Sequence, residues 1–165
     1  MAAWEFQALQ NIADKHGWHR FVSMQNYYNL LYREEEREMI PYCNDAGVGV
    51  IPWSPIARGA LARPWAARAT AREASDRYLQ TQIRARETEV DKTIVGRLEE
   101  VAAKHGVSMT CVATAWCLGK GVNPIIGLSS KERIDEAVRN SRFVLPQEDA
   151  RYLEEPYLPK PVSGY

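Results

Sequence analysis

The segments Val48-Gly49-Val50-Ile51-Pro52-Trp53-Ser54-Pro55-Ile56-Ala57-Arg58-Gly59 and Pro124-Ile125-Ile126-Gly127-Leu128-Ser129-Ser130-Lys131-Glu132-Arg133-Ile134-Asp135-Glu136 share one design. Each starts as a short apolar strand and runs into a loop of small and polar residues, and in the second a helix follows at once. Backbone amides in such loops, together with a helix N-terminus, are suited to phosphate groups, so the pair reads as two parts of a nucleotide site.

Nothing comparable could perform a reaction. His16, His19 and His105 sit beside glycines that close helices, away from the strand ends where ligands gather. Tyr27 and Tyr28 follow a strand, but a phenol with a pKa of about 10 needs a neighbouring cation to give up its proton at neutral pH. No lysine occurs between Lys15 and Lys92. The acidic run Glu34 to Glu36 reads as a helix N-terminus. No catalytic residue and no metal ligand is therefore expected in this chain.

The elements that must position the two loops follow a repeat. A helix from Trp4 to Lys15, with Trp4, Leu9, Ile12 and Ala13 near one face, stops at Gly17. A strand is expected over Phe21 to Gln25, then a polar aromatic loop, then a helix from Arg33 to Ala46 closed by Gly47, and a second strand from Val48 to Trp53. The two closing glycines are separated by the length of a βα unit, which predicts a parallel sheet. Ala60 to Glu89, rich in Ala and Arg, reads as a long covering loop. Order returns with helices at Val90–His105 and Met109–Gly119, the latter capped by Ser108. A third strand is expected at Asn123–Gly127, helices at Lys131–Asn140 and Pro146–Glu154, and an extended tail over 155–165.

Composition excludes several classes. The 165 residues are 45% hydrophobic and 25% charged, with 21 basic and 21 acidic side chains, so one globular domain without a polyanion-collecting field is expected. Nucleic acid is not an expected partner. No apolar run reaches the roughly 18 residues of a membrane span, and the start of the chain lacks the pattern of a signal peptide, so a soluble, cytoplasmic protein is expected. Cys43, Cys111 and Cys117 lie on expected helices without paired spacing and read as reduced, buried thiols.

Five stretches together resemble the aldo-keto reductases, and within them the aryl-alcohol-dehydrogenase-like branch. They are SMQNYYNLLYREEEREMIPYC at 23–43, GVIPWSPIARG at 49–59, SMTCVATAWCL at 108–118, PIIGLSSKERIDEAV at 124–138 and LEEPYLPKPVSGY at 153–165. The resemblance implies an α/β fold, the C-terminal half of an eight-stranded (β/α) barrel whose complete form has about 250 residues or more. It implies NADP(H) as cofactor and a small carbonyl compound as substrate of the complete enzyme. It places the family's catalytic Asp, Tyr, Lys and His outside this chain.

The same resemblance assigns cofactor roles. Gln25 resembles the amide that bonds the nicotinamide carboxamide, and Trp53 the aromatic beneath the nicotinamide ring. Ser54, Pro55, Ile56, Ala57, Arg58 and Gly59 resemble the loop along the pyrophosphate. Ser129 and Arg133 resemble the groups on the adenosine 2′-phosphate, and Glu136 the carboxylate near the adenine amine. The function so implied is NADPH-dependent reduction of an aldehyde or ketone. The alternatives are an inactive remnant that binds nucleotide or associates with itself or a full-length relative, and a self-contained three-stranded α/β protein.

Overall fold

The computed structural model describes residues 1–67 and 75–162. It is α/β. Helix α1 (Ala3–His16) leads to β1 (Ser23–Met24), α2 (Met39–Asp45) and β2 (Gly49–Val50), followed by α3 (Glu89–His105), α4 (Met109–Gly119), α5 (Lys131–Asn140) and α6 (Gln147–Glu154).

β1 and β2 pair in parallel, Ser23 opposite Gly49 and Met24 opposite Val50. These strands are shorter than expected, yet the ladder bonds run on past them. The amides of Gly49, Ile51 and Trp53 donate to the carbonyls of Val22, Met24 and Asn26, each at 2.9 Å. On the far side, the Asn123 amide donates to Val50 and that of Ile125 to Pro52, at 2.9 and 2.8 Å. The expected third strand is thus a parallel partner held by single bonds, with one bridge between Trp53 and Ile125. Pro52 interrupts regular pairing because it has no amide to donate across to the third segment.

Three other expectations are corrected. The helix expected at Arg33–Ala46 is broken: Glu34–Glu36 is a single 3₁₀ turn, Glu38 leaves helical geometry at φ −139°, and α2 starts afresh at Met39. Pro41 explains the restart, because proline is accommodated in the first helical turn and not further in. The acidic run is no solvated N-terminus either, since Glu34 and Glu35 are buried. The face of α1 that packs is Phe6, Gln10 and Ala13, while Trp4, Leu9 and Ile12 stay exposed. Gln10 decides this, for its side chain donates to the Phe21 carbonyl at 2.8 Å and accepts from the Phe21 amide at 2.9 Å.

Within the stretch expected as a covering loop, residues 68–74 lie outside the described part. The rest is not loop throughout. Leu79–Ile83 forms a π-helical turn and Arg84–Arg86 a 3₁₀ turn, and Leu79 and Ile83 reach the core.

The core lies between the sheet and α3, α4 and α6. Ile94, Leu98, Val112, Ala113, Trp116 and Leu153 are almost fully buried beside Val50 and Tyr28. The helix ends are set locally. Thr88 and Asp91 cap α3 reciprocally, Ser108 accepts from the Cys111 amide, and Gly17 and Gly106 end α1 and α3 at φ 66° and 63°, in the left-handed region. Cys43, Cys111 and Cys117 are free and buried. No helix among the described residues is long and apolar enough to cross a membrane.

The tail is tied back to the broken helix. Glu34 accepts hydrogen bonds from the Tyr157 hydroxyl and the Lys160 amide, both at 2.7 Å, and from the Arg37 guanidinium at 2.8 Å. Burial alone would raise the Glu34 carboxyl, but these donors outweigh it and hold it below the ordinary carboxylate range. A depressed folded pKa gives stability that is present above the unfolded value and is lost as pH falls through the folded one. Glu34→Gln should therefore lower stability by about 1–3 kcal/mol at neutral pH and flatten the acid limb of the stability profile. Urea unfolding from neutral pH down into the carboxylate range checks this; parallel profiles for the two proteins would contradict it.

Candidate functional site

The three parallel segments end along one edge, and the candidate residues leave from it. Gln25 follows β1 with an exposed side chain, and Trp53 ends the run after β2. The Trp53 amide is held by the Asn26 carbonyl and its ring by Tyr27, stacked at a centroid separation of 4.5 Å, with Tyr78 edge-on at 6.1 Å. One face of the Trp53 indole is therefore covered by a ring of the same chain.

The turn after Trp53 has unusual backbone geometry. Ser54, Ala57 and Arg58 have φ values of 54°, 47° and 55°, in the left-handed region that side-chain-bearing residues seldom enter. Such residues cost about 1–3 kcal/mol each and persist only where the surroundings impose them. Asn29 imposes this turn. Fully buried, it donates from Nδ2 to the Ser54 carbonyl at 3.1 Å and accepts the Leu31 amide on Oδ1 at 2.9 Å. Within the turn, the amides of Ala57 and Gly59 donate to the carbonyls of Ser54 and Ile56.

Arg58 is not a free cation. Its Nε and Nη2 contact Asp76 at 2.9 and 2.8 Å, and the guanidinium lies over the Tyr78 ring at 5.2 Å. The charge that the resemblance directs to the pyrophosphate is already paired with Asp76, which the sequence did not single out. Asp76 belongs to the stretch expected as loop, and its place beside the turn has no local sequence signal.

A cleft of about 690 Å³ joins the two motifs. Ile56, Arg58 and Gly59 from the first line it together with Ser129, Arg133 and Glu136 from the second. Gln25, Trp53, Ser54, Pro55 and Ala57 are outside its lining. Ser130 caps α5 by accepting from the Arg133 amide at 3.4 Å, and the exposed Arg133 guanidinium donates to Ser129 Oγ at 3.1 Å. Arg133 thus stands in the first turn of α5, where the helix dipole also favours an anion. Glu136 accepts from Ser108 Oγ at 3.0 Å, so the residue expected only as a cap of α4 also orients the carboxylate. Thr110 and Thr114 of α4 add to this wall. Their signal was available as hydroxyls on a helix otherwise made of apolar residues.

The phenols of Tyr27 and Tyr28 are both raised. Burial pushes the Tyr27 phenol up to about 12. Tyr28 is driven further above the ordinary phenol range by burial and by donating to Glu36 Oε1 at 2.5 Å. His105 pairs with Asp149 at 2.7 Å on the α3–α6 side of the molecule, away from the cleft lining.

The model of the Aldo/keto reductase family matches residues 2–157. Versiconal hemiacetal acetate reductase of Aspergillus parasiticus is 61% identical over 163 residues, which are 98% of this chain and 48% of that protein. A Schizosaccharomyces pombe protein that carries an aryl-alcohol dehydrogenase name is 54% identical over 166 residues, 99% of this chain and 50% of that one. An aldo-keto reductase of Fusarium vanettenii is 47% identical over 165 residues, 100% and 44%. The chain spans about half the length of the curated relatives it matches.

Removing the Asn29 side chain should release the strained turn. Asn29→Ala leaves the Leu31 amide and the Ser54 carbonyl without these partners, at a cost of about 1–3 kcal/mol. Hydrogen exchange at the amides of Ala57 to Leu61 should accelerate relative to α4. Unchanged exchange there would show that the turn holds itself.

Proposed function

Because this chain belongs to the aldo/keto reductase family, we propose that it forms the NADP(H)-binding part of an oxidoreductase that reduces an aldehyde or ketone. The observation that carries this reading is the single cleft in which the turn at Ile56 to Gly59 meets Ser129, Arg133 and Glu136. NADPH supplies the hydride when bound; the residues of this chain hold and orient it.

Arg133 and Ser129 present donors suited to the adenosine 2′-phosphate, and the first turn of α5 adds a favourable dipole. Glu136, fixed by Ser108, accepts from the adenine amine. The turn from Ser54 to Gly59 runs along the pyrophosphate, where the absent side chain of Gly59 permits close approach. Trp53 offers the face opposite Tyr27 to the nicotinamide ring, and Gln25, with both a donor and an acceptor, takes its carboxamide. The substrate is a small carbonyl compound or the corresponding alcohol, the aryl-alcohol type being supported by the similar chains.

Neither Tyr27 nor Tyr28 is assigned the role of proton donor in this reading, because both phenols are raised above their ordinary range. Apolar side chains exposed on α1 (Trp4, Ile12) and α5 (Ile134, Val138) support association of the chain with another copy or a longer relative.

Titration with fragments tests the adenosine end alone. 2′,5′-ADP should bind more tightly than 5′-AMP by roughly 10- to 150-fold, the worth of one charge-assisted hydrogen bond. Arg133→Ala should erase the difference while leaving 5′-AMP binding in place. Equal affinities in the unmodified chain would remove the 2′-phosphate assignment.

A second measurement concerns turnover. The 165-residue polypeptide alone should show no NADPH oxidation above the protein-free rate with aromatic or aliphatic aldehydes, because positioned acid catalysis worth about 100- to 10,000-fold is missing. Turnover abolished by Tyr27→Phe or Tyr28→Phe would contradict this and identify a replacement acid.

A further inference from the structure

A second cavity, of about 580 Å³, lies behind the aromatic cluster and takes no part in the cleft described above. Tyr27, Tyr32 and Tyr78 line it with Leu31 and Ile83, and the tail from Pro159 to Val162 supplies one wall. Its size and aromatic lining match small-molecule sites, which combine a largely apolar wall with a few placed polar groups. It borders Tyr27, the ring that covers one face of Trp53, while Trp53 itself is not in its lining.

Its lining carries two cations, Arg86 and Lys160, and two carboxylates, Glu87 and Asp91. Lys160 is paired with the buried Asp91 at 2.5 Å, and Glu87 with Arg84 at 2.6 Å. Arg86 also lines the cavity and is exposed, and among the described residues no carboxylate lies within ion-pair reach of it. An aromatic pocket with one uncompensated guanidinium at its rim matches an aromatic carboxylate, whose ring is received by the tyrosines and whose oxygens are received by the planar donor fork of Arg86.

We propose that this cavity is a second ligand site, specific for small aromatic carboxylates and separate from the dinucleotide cleft. The ligand packs against Tyr27, which itself backs Trp53, so occupancy bears on the aromatic platform without entering the path of the cofactor. The tail closes the site from one side, held by Lys160 to Asp91 and by Glu34 to the Lys160 amide.

Benzoate is the probe and benzyl alcohol its uncharged counterpart. Calorimetry or chemical-shift titration of the 165-residue chain should give saturable benzoate binding with one site per chain, weakened by added salt. Benzyl alcohol should bind at least about tenfold more weakly, and Arg86→Gln should reduce benzoate affinity by a similar factor, as expected for a charge-assisted bond. Arg86 is exposed and has no ion-pair partner among the described residues, so the substitution leaves the fold intact, and Arg86→Lys should restore part of the loss. Saturating 2′,5′-ADP should leave benzoate binding unchanged. Absence of saturation, equal affinity of Arg86→Gln, or equal binding of benzyl alcohol would overturn the proposal. Displacement by 2′,5′-ADP would overturn it as well, by placing benzoate on Arg133, and would leave the nucleotide assignment standing.

Discussion

The hydrogen bond from the Trp53 amide to the Asn26 carbonyl, 2.9 Å long, continues the parallel ladder beyond the regular strands. With the bond from Ile125 to Pro52 it brings three chain segments into line at their C-terminal ends. Parallel strands place their exits at the same edge, where loops from successive units can face one ligand. Without these bonds the Trp53 turn and the Ser129–Arg133 segment would have no common reference. The first loop is also anchored by the buried Pro55 and Ala57, whereas α5 contributes no buried residue.

Around that edge, buried polar groups do work that apolar packing cannot. Asn29 holds a turn whose backbone would otherwise relax, and Gln10 fastens α1 to the chain entering β1. Trp116 donates to Glu154 at 2.8 Å, which also meets Lys120 at 2.8 Å and Arg33 at 3.3 Å. Burial would lower the Arg33 guanidinium, but Glu36 and Glu154 outweigh it and raise it. Each of these groups is satisfied by a partner distant in sequence, so the interior is specified by pairing as well as by volume.

Much of this was legible in the residues. Gly17 and Gly106 marked helix ends, Ser108 and Ser130 marked helix starts, and the apolar stretches at 48–53 and 123–127 marked the ladder, because capping and strand signals are local. The break at Glu38 was also written in the chain, in Pro41, but the acidic run before it suggested one continuous helix. The burial of Glu34 and Glu35 was not legible, since their partners Tyr157, Lys160 and Asn26 come from elsewhere in the fold. The same holds for the cleft. The motif residues could be named from resemblance, but the Asp76 clamp on Arg58, the Ser108 bond to Glu136 and the positive φ values are products of tertiary contact.

The central claim is that both motifs hold one dinucleotide, in one orientation. A crystal structure of the chain grown with NADP⁺ tests it most directly. The account predicts the 2′-phosphate within hydrogen-bond distance of Arg133 and Ser129, the pyrophosphate along the turn from Ser54 to Gly59, and the nicotinamide parallel to Trp53 on the face away from Tyr27. A nucleotide bound with its adenosine end at Trp53, or bound outside the cleft between the two motifs, would contradict it.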